Sequence, residues 1–90
     1  MTARARLQIR NEKGLHARAS ARFVETVEKY NARAWVMRDG MRVSGDSIMG
    51  LLTLAASKGT EIEVTTEGPE AEELADALTA LVEGLFDEGR

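Results

Sequence analysis

Ninety residues with 43% apolar side chains suffice for one packed domain and are too few to divide into two. The absence of cysteine excludes disulfides, thiolate metal sites and thiol catalysis, and a single histidine leaves no zinc set. A formal charge of −3 speaks against a partner held by phosphate neutralisation, and no run reaches the length that spans a bilayer. A cytoplasmic chain without a cofactor of its own is the economical expectation, with no nucleic acid and no membrane among its partners.

Ala3, Ala5, Leu7 and Ile9 alternate with Arg4, Arg6, Gln8 and Arg10, the period of two that marks a half-buried strand. This alternation takes the place an apolar leader segment would occupy, so no secretory signal is expected. Asn11 to Gly14 is polar and turn-forming. A helix is predicted from about Ala17 to Lys29, with Phe23, Val24 and Val27 on its apolar face and its end near Asn31. A second strand covers Ala32 to Arg38. Asp39-Gly40 makes a two-residue hairpin turn into a short third strand, Met41 to Val43. Trp35 and Phe23 read as packing residues.

Ser44-Gly45-Asp46 offers capping side chains before a short apolar helix, Ser47 to about Ser57, which Lys58-Gly59 closes with a left-handed cap. Ile62 and Val64 alternate with Glu61 and Glu63 in a fourth strand. Gly68-Pro69 and the acids Glu70, Glu72 and Glu73 start a last helix, acids being favoured at its positive pole. Its expected buried stripe is Ala71, Leu74, Ala75, Leu78, Leu81, Val82 and Leu85. The order is β-α-β-β-α-β-α. Single apolar faces on strands and helices imply an α+β fold of two layers, a four-stranded antiparallel sheet with three helices on one face, over residues 1–90 as one domain.

Charge is segregated along this order. Arg4, Arg6, Arg10, Arg18 and Arg22 crowd the first quarter, and Glu61, Glu63, Glu67, Glu70, Glu72, Glu73 and Asp76 the later part. Clustered arginine favours an acidic or phosphorylated partner surface, although any single arginine reads equally well as a solvated side chain.

His16, in Gly14-Leu15-His16-Ala17-Arg18-Ala19-Ser20, falls at the entrance of the first helix. Unpaired amides and the macrodipole make that entrance a positive pole, which favours an anion by roughly 0.3–1 kcal/mol. A neutral ring that takes up a phosphoryl group suits such a place better than a protonated one. Arg18 is a fixed cation able to fork two hydrogen bonds onto phosphate oxygens. The plainer alternative is an ordinary surface or capping histidine.

The run Gly14-Leu15-His16-Ala17-Arg18 resembles the active-site signature of HPr, the histidine-containing phosphocarriers of the bacterial phosphotransferase systems. The likeness in element order extends from about Arg4 to Phe86, and it implies an open-faced β-sandwich. It further implies His16 as phosphoacceptor through Nδ1, Arg18 as the compensating cation, and the amides of Ala17 and Arg18 as remaining donors. Many members carry proline after the arginine, where this chain has Ala19, a residue that leaves the helix entrance less rigid. The implied partners are enzyme I as donor and enzyme IIA as acceptor, with the chain itself a monomeric carrier and not an enzyme.

Gly45-Asp46-Ser47-Ile48-Met49-Gly50 reads on its own as a capped helix start. Ser47-Ile48-Met49-Gly50 also resembles the regulatory serine segment of HPr proteins modified by an HPr kinase/phosphorylase, which implies phosphorylation at Ser47. A phosphate there would add about −1.5 to −2 charge at a helix start and act by repelling an acidic partner. Asp46 departs from the neutral or basic residue expected before that serine. The same resemblance makes Ile48, Met49 and Leu52 candidates for the partner interface, and methionine adapts readily to several partners.

Two other classes share parts of the pattern. An RNA-binding domain of order β-α-β-β-α-β needs aromatic residues on its first and third strands to stack bases, and neither strand has one here. An HPr-like regulator acting through Ser47 alone, with His16 silent, would not need the intact histidine run. A free-standing enzyme has least support, since His16 has no nucleophile, carboxylate pair or nucleotide loop beside it in the chain.

Overall fold

Four strands pair antiparallel in the order β1-β4-β2-β3, where β1 is Thr2–Gln8, β2 Arg33–Arg38, β3 Met41–Ser44 and β4 Glu61–Glu67. This is seen in a computed structural model that describes residues 1–90. The register places Leu7 opposite Ile62, and lines up Ala5, Val64, Val36 and Val43 across all four strands. Because successive strand side chains alternate in direction, this in-register set forms one apolar face. Helices α1 (Ala17–Glu28), α2 (Ile48–Thr53) and α3 (Ala71–Glu83) cover it.

Between the layers lies one cluster of 18 buried residues. Phe23 and Val27 of α1, Leu51 of α2, and Leu74, Leu78 and Val82 of α3 meet Val36, Ile62 and Val64 from the sheet. Full burial of each such side chain contributes about 1.5–3 kcal/mol relative to exposure. Asp39 and Gly40 both take positive φ, 48° and 80°, which is the turn geometry that matches the twist of the β2–β3 hairpin.

The structure corrects the sequence reading at three places. The second helix stops at Thr53 instead of running to Ser57. Ala55 turns left-handed at φ 51°, and Arg38 donates from Nη1 to the Leu54 and Ala55 carbonyls, so a side chain from β2 takes over the capping. Gly59 is left-handed as expected but lies in a turn beyond the helix.

The last helix ends at Glu83, and Leu85 is not part of its buried stripe. Leu85, Phe86 and Asp87 form a single left-handed turn with φ of 59°, 53° and 63°, which drives Phe86 into the core. Trp35 points away from the core, onto the sheet face without helices, where the Arg42 guanidinium stacks 4.1 Å from its ring centre. Phe23 is a packing residue, fully buried as expected.

Candidate functional site

The loop before α1 is shaped by Gly14. Its φ is +64°, and a Cβ there would come within 2.8 Å of the Ser57 backbone, so only glycine fits. The close approach lets the Leu15 amide donate to the Ala56 carbonyl at 2.9 Å, and Leu15 is buried. With Leu15 fixed inside, the next residue is held at the surface. His16 is the N-cap of α1, in extended backbone geometry, and its side chain makes no capping bond.

The first bond of the helical ladder runs from Ser20 N–H to His16 C=O at 2.8 Å. The amides of Ala17 and Arg18 therefore precede the ladder and remain available to an anion at the positive pole. Ala19 is fully buried, so packing secures the first turn.

The imidazole is partly open to solvent, with 27% of the side chain exposed. Its Nε2 faces a carboxylate oxygen of Glu88, and no protein group is hydrogen-bonded to Nδ1. The second Glu88 oxygen accepts from Asn11 Nδ2 at 2.9 Å, and the same Nδ2 donates to Gly14 C=O at 2.8 Å. Burial raises the Glu88 pKa, but the hydrogen bonds from Asn11 and His16 and the charges of His16 and Arg18 outweigh it. The carboxyl is held below its usual range and is ionised at neutral pH. Because this folded value is the depressed one, the stabilisation it brings is complete above the ordinary glutamate pKa. It is lost as pH falls through the folded value.

A cleft of about 550 Å³ opens beside the ring, bounded by Lys13, Arg18, Arg22 and Arg90 on the cationic side and by Glu12, Asp87 and Glu88 on the other. Arg22 reaches Asp87 at 3.7 Å across a largely exposed gap, a weak tie. No group of three His, Cys, Asp or Glu side chains is arranged to hold a metal.

The second segment singled out by the sequence forms the start of α2. Ser47 caps α2, its Oγ accepting from Gly50 N–H at 2.9 Å, and Asp46 accepts from the Ser44 hydroxyl. Ile48 and Met49 project outward, 39% and 73% exposed. Leu52 is half-buried and lines a shallow hollow with Lys13, Leu15, His16 and Ala55.

Comparison with known proteins places this geometry in a family. The family model described as "PTS HPr component phosphorylation site" matches residues 3–84. That match spans most of the chain. The chain belongs to the HPr family. It is 48% identical over 83 residues to the phosphocarrier protein HPr of Neisseria meningitidis serogroup A, covering 92% of this chain and 93% of that one. Among solved structures it is similar to HPr-C-His of Thermoanaerobacter tengcongensis, with TM-score 0.91, 38% identity and coverage of 96% and 97%. HPr of Bacillus anthracis gives TM-score 0.86 at 40% identity, covering 90% of this chain and 96% of that one. The βαββαβα order and the four-stranded antiparallel sheet with three helices are those of the HPr structures.

As an HPr the chain is a phosphocarrier of the bacterial phosphotransferase system and not a catalytic enzyme. No helix is long and apolar enough to cross a membrane. Within this HPr, His16, Ala17 and Arg18 line one cleft, and Leu52 and His16 line a second, shallower hollow. Arg18 is exposed and makes no direct bond to the imidazole, but its charge reaches Glu88. Ser47, Ile48 and Met49 sit outside the cleft, at the start of α2.

Sequence reasoning missed Glu88, 72 residues from His16, and took Asn11 only as a turn former. The sole sequence signal for Asn11 is its place three residues before Gly14, where its side chain can hold the turn.

Proposed function

We propose that this HPr accepts a phosphoryl group on Nδ1 of His16 from enzyme I, with phosphoenolpyruvate as ultimate donor, and passes it to an enzyme IIA protein. The observation that carries the reading is the seat of His16. It lies at the N-terminus of α1, with Nδ1 unpartnered beside a cleft that Lys13, Arg18 and Arg22 line. The Nδ1 lone pair attacks phosphorus as the bond to the donor breaks, and the developing charge on the phosphoryl oxygens meets the Ala17 and Arg18 amides and the Arg18 guanidinium. One exposed arginine and two amides form a moderate clamp, which suits a group that must leave again. Incubation with enzyme I and labelled phosphoenolpyruvate tests this: an acid-labile label supports it, and an acid-stable label or none contradicts it.

Arg18→Ala slows transfer about tenfold, the loss of a charge-assisted hydrogen bond of about 1.5 kcal/mol, and leaves the melting temperature unchanged because the side chain is exposed. Stopped-flow transfer from phosphorylated enzyme I gives the first value and a thermal melt the second. Unchanged transfer kinetics remove Arg18 from the site.

Ser47 is the proposed target of an HPr kinase/phosphorylase. Its hydroxyl oxygen already caps α2, and a phosphate there keeps the cap while adding a dianion beside Ile48 and Met49. These two residues and Leu52 form the proposed docking patch for enzyme I and enzyme IIA. The carrier works as a cytoplasmic monomer in this scheme. Mass spectrometry after incubation with the kinase and ATP is expected to locate the phosphate on Ser47, and modification elsewhere or none contradicts it.

A further inference from the structure

Resting on the reading of His16 as phosphoacceptor, we infer that Glu88, steadied by Asn11, is a positioning residue that fixes which nitrogen of the ring carries the proton and keeps Nδ1 bare for phosphorus. An ionised carboxylate only accepts hydrogen bonds, so the ring nitrogen facing it must be the donor. Nε2 then holds the proton of the neutral ring and Nδ1 keeps its lone pair, the form a nucleophile at Nδ1 requires. Asn11 is fully buried and gives both protons of its amide group a use through Nδ2, one toward Gly14 and one toward Glu88. It thereby ties the carboxylate to the turn that sets the position of His16.

The backbone around Glu88 shows how firmly it is placed. Three consecutive non-glycine residues, Leu85, Phe86 and Asp87, hold positive φ, each at a cost on the order of 1 kcal/mol or more. Buried Phe86 secures the turn, and the turn delivers Glu88 to the imidazole. With this clamp no proton has to move on the ring during relay. In loading, the Nδ1–P bond forms as the donor's bond to phosphorus breaks, and the Nε2 proton stays on Glu88's side of the ring. In unloading, the Nδ1–P bond breaks, its electron pair returns to Nδ1, and the same proton is still in place.

The test compares wild type with Glu88→Ala by long-range ¹H–¹⁵N correlation of the single histidine, at a pH where the ring is neutral, and by transfer from phosphorylated enzyme I. Wild type shows Nε2–H with Nδ1 bare. Glu88→Ala shows a rise in the Nδ1–H form and a transfer rate lower by about tenfold, in line with loss of a hydrogen-bonded partner behind a reactive imidazole. The thermal melt verifies that the variant is folded. Identical tautomer populations in the two proteins overturn the inference, whatever the rates. Absence of label on wild-type His16 defeats the acceptor reading instead, which the tautomer spectra do not depend on.

Discussion

Replacing His16 with alanine abolishes acceptance of the phosphoryl group from enzyme I while the fold persists. The imidazole is the one side chain lining the cleft beside the α1 entrance that offers a ring nitrogen free of any protein hydrogen bond. The neighbours that remain are the cations Lys13, Arg18, Arg22 and Arg90 and the carboxylates Glu12, Asp87 and Glu88, none of which offers an imidazole nitrogen for a phosphorus–nitrogen bond. Alanine removes no capping bond from α1, since the ring makes none, and the ring is no part of the buried core. Labelling falls to background, therefore, and the melting temperature moves by a few degrees at most. Label retained at the wild-type level in His16→Ala places the acceptor elsewhere.

Phe86→Ala carries the largest expected cost in stability, about 3–5 kcal/mol, as usual for removal of a buried aromatic ring. Phe86 is completely buried, in the same cluster as Leu7, Phe23 and Val82. At about 4–8 °C per kcal/mol for a domain of this size, melting falls by roughly 15 °C or more. The effect reaches the site as well. Without the ring in the core the left-handed turn keeps only its own hydrogen bonds, and the hold of Glu88 on His16 weakens. Thermal denaturation measures the first consequence, and histidine ¹⁵N shifts below the new transition measure the second. A melting change under about 5 °C contradicts the anchoring role of Phe86.

The difference between what the chain announces and what it conceals is physical. Strand alternation around Leu7, Ile62 and Val64, the Asp39-Gly40 hairpin and the glycine-led entrance to α1 are local signals, and the structure follows each of them. The placement of His16 at a helix N-terminus was readable for the same reason.

What escaped reading depends on packing between distant segments. Nothing near Ala55 signals a left-handed residue; Arg38, from another element, satisfies the carbonyls that let α2 stop there. The stripe Leu78, Leu81, Leu85 continues the helical period past Glu83, yet burying Phe86 wins over continuing the helix. Glu88 could not be found from spacing, because its partner lies at the opposite end of the chain. Trp35 has the hydrophobic mass of a core residue, but strand parity assigns it to the face without helices.

The most direct measurement is ¹⁵N–³¹P coupling in the phosphorylated, ¹⁵N-labelled protein. The account predicts phosphorus coupled to Nδ1 of His16 while Nε2 retains its proton. Phosphorus coupled to Nε2, or to no histidine nitrogen at all, contradicts it.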